Sequence, residues 1–224
     1  MYSHDMRNIF NKILMSAELG SNYIDTSEKT IELKELMRII KEQVSRGQQI
    51  ILNMQKMANF GNEGLYIKPI KLHDVLNEVI YYIKKSYVIS EISVKVDSIP
   101  KNVMVQANDL LKDIFENILI NSINYNNSTK IEIFVKISQI IKKNEGKYIK
   151  IEFIDNGIGI PNSKKESIFD RYSNDKGGKG LGMGLSLVKQ IVEIFKGKIW
   201  VEDNIKGDYS QGSNFVVLIP EIYD

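Results

Sequence analysis

The residue types in this chain best suited to chemistry lie in two glycine-rich turns, Asp155-Asn156-Gly157-Ile158-Gly159 and Gly180-Leu181-Gly182-Met183-Gly184-Leu185. The first should close a strand over 148–154 and the second should open a helix over 185–195, with a polar stretch between them that can serve as a lid. The Asp155 carboxylate can accept a hydrogen bond from an adenine amino group, and Gly157 and Gly159 let the backbone approach the base where a Cβ would clash. In the second turn, successive N–H groups and a helix N-terminus can be aimed at phosphates. One glycine repeat is more often only a turn, but two at this spacing read as a nucleotide pocket.

A third piece is expected on a helix over 110–125. Asn117 and Asn121 are four apart and share one face of it, with Asn124 and Tyr125 about a turn further on, while Leu111, Ile114, Phe115 and Ile118 mark the neighbouring apolar face. An amide carbonyl is a hard, neutral ligand, suited to a magnesium ion that keeps most of its waters and shares the nucleotide phosphates. The bland reading is a helix with solvated amides. Beside two glycine turns, the pattern suits Mg-ATP.

The elements that must position these groups fall on either side of Asn59-Phe60-Gly61-Asn62-Glu63-Gly64. Before it, two helical stretches are separated by Asp25-Thr26-Ser27, which has capping character, with Glu28 in the following first turn. In the second helix Leu33, Met37, Ile40, Val44, Gly47, Ile51 and Met54 recur at alternating spacings of three and four, as in a coiled-coil seam. The first helix offers Met6, Phe10, Ile13 and Ala17, with further apolar positions at Ile9 and Leu14. One antiparallel hairpin cannot cover such a stripe, so two should pair into a four-helix dimer. Beyond the linker, strands alternate with helices: a strand over 66–70, a helix from Leu72, strands over 92–96 and 104–105, the Asn helix, a long hairpin over 130–139 and 148–154, and a final pair over 198–201 and 214–219. The expected fold is α+β, a helical hairpin over 1–60 followed by an α/β two-layer sandwich over 65–224 with helices on one face of a mixed sheet.

In this order the motifs resemble those of sensor histidine kinases. Glu116-Asn117-Ile118-Leu119-Ile120-Asn121-Ser122 is similar to the N-box, Asp155 to Gly159 to the G1 box, Phe169-Asp170-Arg171-Tyr172 to the F-box, Gly180 to Gly184 to the G2 box and Gln211-Gly212-Ser213-Asn214-Phe215 to the G3 segment. Near the start, Ser3-His4-Asp5-Met6-Arg7-Asn8 resembles the H-box, whose histidine accepts a phosphoryl group. The resemblance spans the chain from residue 3 to about 220. It implies ATP and Mg2+ as cofactors, a homodimer through the hairpin, and a response-regulator receiver domain as partner. It also implies a nucleotide site made of Asn117, Asn121, Asn124, Tyr125, Asp155, Gly157, Gly159, Ile160, Phe169, Tyr172, Lys176, Lys179, Gly180, Leu181, Gly182, Met183, Gly184, Leu185 and Ser213.

The roles that follow are specific. A neutral imidazole is a competent nucleophile, so His4 is the expected phosphoacceptor, and Asp5 beside it the base that takes or orients the other ring proton. Transfer of the γ-phosphoryl group needs in-line positioning and charge neutralisation, which magnesium on Asn121, the G2 amides and a lid lysine (Lys176 or Lys179) can supply, with Asn117 orienting a metal-bound water. Asn8, one turn after His4, occupies the family position that orients water for dephosphorylating the partner. His73 has no such context and reads as an ordinary residue near a helix start. Where the family has a proline five residues after the histidine, this chain has Ile9, so the first helix should run straighter. Asn124 stands where a basic residue often touches phosphate, and the lid over 172–180 is short.

With a turn near residue 26, His4 should sit opposite roughly residue 47, leaving Ile50, Ile51, Met54 and Met57 without a partner. The natural first helix is therefore expected to begin upstream of Met1, with a sensor in the preceding part.

Composition excludes several alternatives. The chain has 224 residues, 43% of them hydrophobic, enough to bury a core. No tract approaches the roughly 20 apolar residues of a membrane span, nothing at the start resembles a signal peptide, and the chain is expected to be soluble and cytoplasmic without membrane contact of its own. The absence of cysteine removes disulfide and thiol chemistry and is compatible with a reducing compartment. A net charge of +2, spread through mixed Lys/Glu runs, implies no nucleic-acid partner. Two rival functions remain. An ATPase of the gyrase or heat-shock chaperone type would need a water-activating glutamate where Asn117 stands, and Glu116 points roughly 100° away. A non-catalytic dimerisation and docking module would tolerate decayed boxes, whereas these are intact.

Overall fold

The computed structural model describes residues 2–23, 30–59, 66–87, 91–97, 103–142, 146–170 and 184–222. The chain divides into two compact units, Met1–Glu63 and Gly64–Asp224.

The first unit is an antiparallel pair of helices, α1 (Tyr2–Tyr23) and α2 (Thr30–Asn59). With Ile9 in place of proline, α1 runs unbroken. Glu32 in the first turn of α2 complements the helix dipole, while the Asp25-Thr26-Ser27 cap and Glu28 lie outside the described residues. Among the described side chains of α1, Ile9, Ser16 and Gly20 are buried, and on α2 Gln43 and Gly47 are buried too. A Cβ at Gly47 would lie 3.8 Å from Ile9, and one at Gly20 would lie 3.4 Å from Leu33. Gly47, expected opposite His4, thus lies beside Ile9.

The expected seam also separates into two lines. On α2, Leu33 and Ile40 are half-buried and Gly47 buried against α1, whereas Met37, Val44 and Ile51, offset by half a heptad, are exposed. On α1, Phe10 is 59% exposed and Leu14 57%, and Ala17 is exposed too, whereas Ile13 is half-buried. Gly20, with no side chain of its own, leaves room for the Leu33 and Leu36 side chains of α2.

The second unit is an α+β sandwich. Its elements are β1 (Lys68–Lys71), α3 (Leu72–Ser86), β2 (Glu91–Val96), β3 (Met104–Ala107), α4 (Leu111–Asn124), β4 (Lys130–Lys142), β5 (Gly146–Asp155), two 3-10 turns (Asn162–Lys164 and Ser167–Phe169), α5 (Gly184–Ile194), β6 (Lys198–Ile205) and β7 (Asp208–Pro220). The main sheet has the order β2-β4-β5-β7-β6, parallel between β2 and β4 and antiparallel elsewhere. The short strands β1 and β3 form a separate two-stranded sheet, and β3 also bridges Glu221 just beyond β7 through Val105, so the sheet expected as one is two.

Strand β4 alternates, burying Ile131, Ile133 and Val135 and exposing Lys130, Glu132 and Phe134, as a half-buried strand must. Strand β7, interior to the sheet, is buried continuously from Gly212 to Ile219. The core lies between the sheet and the inner faces of three helices: Leu72, Leu76 and Ile83 of α3, Ile114, Phe115, Ile118 and Leu119 of α4, and Leu187, Val188 and Ile191 of α5. Phe115 meets Phe153 of β5 with ring centroids 5.6 Å apart. Each such side chain contributes about 1.5–3 kcal/mol by leaving water, which fixes α4 and α5 against the sheet end that carries Asp155.

Candidate functional site

Strand β5 ends at Asp155, and α4 and β7 converge on that carboxylate. It is 4% exposed. Oδ1 accepts from the backbone N–H of Gly157 at 2.9 Å and of Ser213 at 3.2 Å, and Oδ2 accepts from the hydroxyl of Ser213 at 2.6 Å and of Ser122 at 3.2 Å. A buried carboxylate requires such donors. Pairing Ile154 with Asn214 brings the next residue of β7, Ser213, to Asp155. Ser122 arrives from α4, where it occupies a core-facing position one turn after Ile118.

Backbone carbonyls close around this corner. A Cβ at Gly157 would lie 2.7 Å from the Tyr125 carbonyl, and the Ile158 N–H donates to the same oxygen at 3.0 Å. Gly159 has φ +67 and its missing Cβ space holds the Tyr209 carbonyl, while Gly212 has φ +104 and packs on the Asp155 carbonyl. Gly159→Ala should therefore combine left-handed strain with backbone overlap and cost more than about 2 kcal/mol, whereas Gly207→Ala, at φ +86 in open space, should cost about 1 kcal/mol. Urea denaturation of the two variants measures the difference, and equal losses would refute the role of the Tyr209 contact.

Asparagines lock the surrounding backbone. Asn156 Oδ1 accepts from Asn126 Nδ2 at 2.7 Å and from the Glu132 N–H at 2.9 Å, and its Nδ2 donates to the Lys130 carbonyl at 3.0 Å. At the irregularity between Asp203 and Ile205, Asn204 Nδ2 donates to the carbonyls of Asp155 at 3.2 Å and Gln211 at 3.0 Å. The segment after the first turn is pinned by Lys165, whose ammonium lies 2.5 Å from Asp203 and 2.6 Å from Asn162 Oδ1. Phe169 is buried edge-on against Phe215.

The amide face of α4 meets the head of α5. Asn117 Nδ2 donates to the Asp113 carbonyl at 2.7 Å, and a Cβ at Gly184 would lie 2.6 Å from Asn117 Oδ1. Asn121, Asn124, Tyr125, Ile160 and Leu185 are half-buried in this unit. The Asn121 side chain makes no hydrogen bond among the described residues, which leaves a hard amide oxygen available and fits a magnesium ion completed by phosphate and water. Among the described residues no cluster of three His, Cys, Asp or Glu could hold a metal by itself. Glu116 pairs with Lys112 at 3.9 Å along the helix, and Lys112, whose ammonium is pushed up by the Glu78 carboxylate beside it, ties α4 to α3.

Several expected site residues fall elsewhere. Tyr172, Lys176, Lys179, Gly180, Leu181, Gly182 and Met183 lie outside the described residues, and so do the side chains of His4 and Asp5, whose backbone belongs to α1. Asn8 is exposed on α1. Sequence reasoning had not singled out Ser122, Asn156, Asn204 or Lys165. A lone hydroxyl on the apolar face of α4 was the available signal for Ser122.

Residues 106–222 match the family described as histidine kinase-, DNA gyrase B-, and HSP90-like ATPase. Adaptive-response sensory kinase SasA of Gloeothece citriformis is 27% identical over 237 residues, covering 98% of this chain and 56% of that protein. The solved structure of histidine kinase ThkA in complex with response regulator protein TrrA is similar with a TM-score of 0.74 at 20% identity, over 98% of this chain and 60% of that one. Full-length ShkA in complex with AMPPNP is similar with a TM-score of 0.64 at 20% identity, over 99% and 45%. At such identities the two structures share the fold. This chain spans about half the length of the curated relatives it matches.

Proposed function

The chain belongs to the family of histidine kinase-, DNA gyrase B- and HSP90-like ATPases, and on that premise we propose that it is the catalytic core of a two-component sensor histidine kinase. Residues 65–224 bind ATP, and residues 1–60 are the dimerisation and phosphotransfer hairpin, which pairs with a second copy as a four-helix bundle. The observation that carries the reading is the convergence, in one corner of the second unit, of an acceptor carboxylate (Asp155) with an amide-bearing helix (Asn117, Asn121) on the head of α5 at Gly184. Adenine and triphosphate need these two kinds of group side by side.

His4 is the nucleophile in this reading. Its ring nitrogen attacks the γ-phosphorus, the bond to the β–γ bridging oxygen breaks, ADP leaves, and Asp5 takes or orients the proton on the other ring nitrogen. Asn121 would hold a magnesium ion, which would supply charge neutralisation for the transferring group, with Asn117 oriented toward one of its waters. Lys176 or Lys179 and the second glycine turn hold the phosphates. The phosphoryl group then passes to an aspartate of a receiver domain. The complex of ThkA with a response regulator supports that class of partner, the AMPPNP bound by ShkA supports the nucleotide, and the sensory-kinase name of SasA supports the activity. No described helix is long and apolar enough to cross a membrane, and the proposed location is the cytoplasm.

The rival ATPase reading is weakened by Glu116, which is held by Lys112 on another face of α4 from Asn121. Incubation with γ-labelled ATP separates the readings: labelled protein for a kinase, free phosphate for an ATPase, neither for a docking module.

A second assay divides two activities of one helix. Asn8, one turn from His4, can orient water toward a docked aspartyl phosphate but cannot remove an imidazole proton. Asn8→Ala should keep most of the autokinase rate and lose about tenfold or more of phosphatase activity on a phosphorylated receiver, while Asp5→Ala should slow the kinase step by about 10²-fold or more. Equal damage to both activities by both variants would instead indicate disruption of α1.

A further inference from the structure

The Asp155 carboxylate, with roughly four lone-pair sites, already accepts four hydrogen bonds from within the second unit. An adenine amino group can reach it only if one donor yields. Two of the four are backbone N–H groups fixed by the G1 turn and by β7, and both go to Oδ1. The donors on Oδ2 are hydroxyls, which rotate. Of these, Ser213 is held close at 2.6 Å, whereas Ser122 lies at 3.2 Å and is the weaker bond.

We propose that Ser122 is a positioning residue that tunes nucleotide affinity by competing with the adenine amino group for Asp155 Oδ2. This rests on the nucleotide-binding reading above. Without nucleotide, the Ser122 hydroxyl satisfies the buried oxygen. With nucleotide, the amino group replaces it, and the hydroxyl turns to the Ile118 carbonyl one turn back, the ordinary alternative for a helical serine. The exchange preserves the number of hydrogen bonds on the carboxylate, so adenine gains less than it would from a vacant acceptor. Ser122 is 3% exposed, and solvent does not substitute for it freely.

The proposal makes an opposite prediction from a merely structural role. Loss of a buried structural hydroxyl would weaken binding, whereas loss of a competitor strengthens it. Ser122→Ala should bind ADP about three- to tenfold more tightly by calorimetry while its nucleotide-free form melts at a lower temperature. The gain should be confined to ADP. Inosine diphosphate carries a 6-oxo group that cannot donate to Asp155, so its affinity should stay level or fall. Ser122→Cys, nearly isosteric with a weak S–H donor, should lie between serine and alanine. Unchanged or weaker ADP binding by folded Ser122→Ala and Ser122→Cys, or an equal gain for both nucleotides, would overturn the proposal. Failure of the unaltered chain to bind ADP would instead overturn the nucleotide-binding reading.

Discussion

His4→Gln is expected to reduce incorporation of label from γ-labelled ATP to background while leaving ATP affinity unchanged. Glutamine is a good helix former with a polar amide and should not disturb α1, but it has no nitrogen nucleophile able to carry a phosphoryl group. The described groups of the nucleotide corner belong to the other unit, Gly64–Asp224, so the substitution removes the acceptor without touching Asp155, Asn117 or Asn121. Label on the unaltered chain should be acid-labile and base-stable, as a phosphorus–nitrogen bond requires. The chain has two histidines, which makes the assignment clean. His73, half-buried in the first turn of α3, is engaged by Asn77 at 3.0–3.1 Å and lies 3.5 Å from Asp74. Acid-labile label persisting in His4→Gln would move the acceptor to His73 and remove the H-box reading of residues 3–8.

The parts of this architecture legible in the sequence are those where chemistry dictates the residue type. Gly159 and Gly212 sit at positive φ against backbone carbonyls, and Gly184 lies against Asn117, so few other residues could occupy these places. Elements long enough to show a full period, such as α4 and β4, emerged within a few residues of their ends. What stayed hidden depends on the partner rather than the pattern. A stripe on α2 records that one side of the helix is apolar, but Leu33 and Gly47 meet α1 while Met37, Val44 and Ile51 are exposed. A residue count from an assumed turn does not fix the hairpin register, and the residue beside Gly47 is Ile9. β1 and β3 are four residues each, too short to announce that they pair apart from the main sheet. Ser122 carries no role in the motif taken alone, because a hydroxyl on a core-facing position has meaning only once Asp155 stands opposite it.

That same environment decides the outcome of Asp155→Asn, which should lower affinity for adenine nucleotides by about 10- to 100-fold while leaving the second unit folded. An asparagine can keep its oxygen toward the N–H groups of Gly157 and Ser213 and place its NH2 where Oδ2 now lies. There it faces two hydroxyls, Ser122 and Ser213, each able to reverse and accept instead of donate. The fold is preserved because both partners on that side are ambivalent. The adenine amino group is not, and it now meets a donor rather than a charged acceptor. Denaturation curves should therefore shift little while calorimetric titration with ADP shows the loss. If the variant bound ADP as well as the unaltered chain, adenine recognition would lie outside this carboxylate. If affinity and stability collapsed together, Asp155 would be acting as a structural anchor for α4 and β7, with nucleotide binding a by-product of that scaffold.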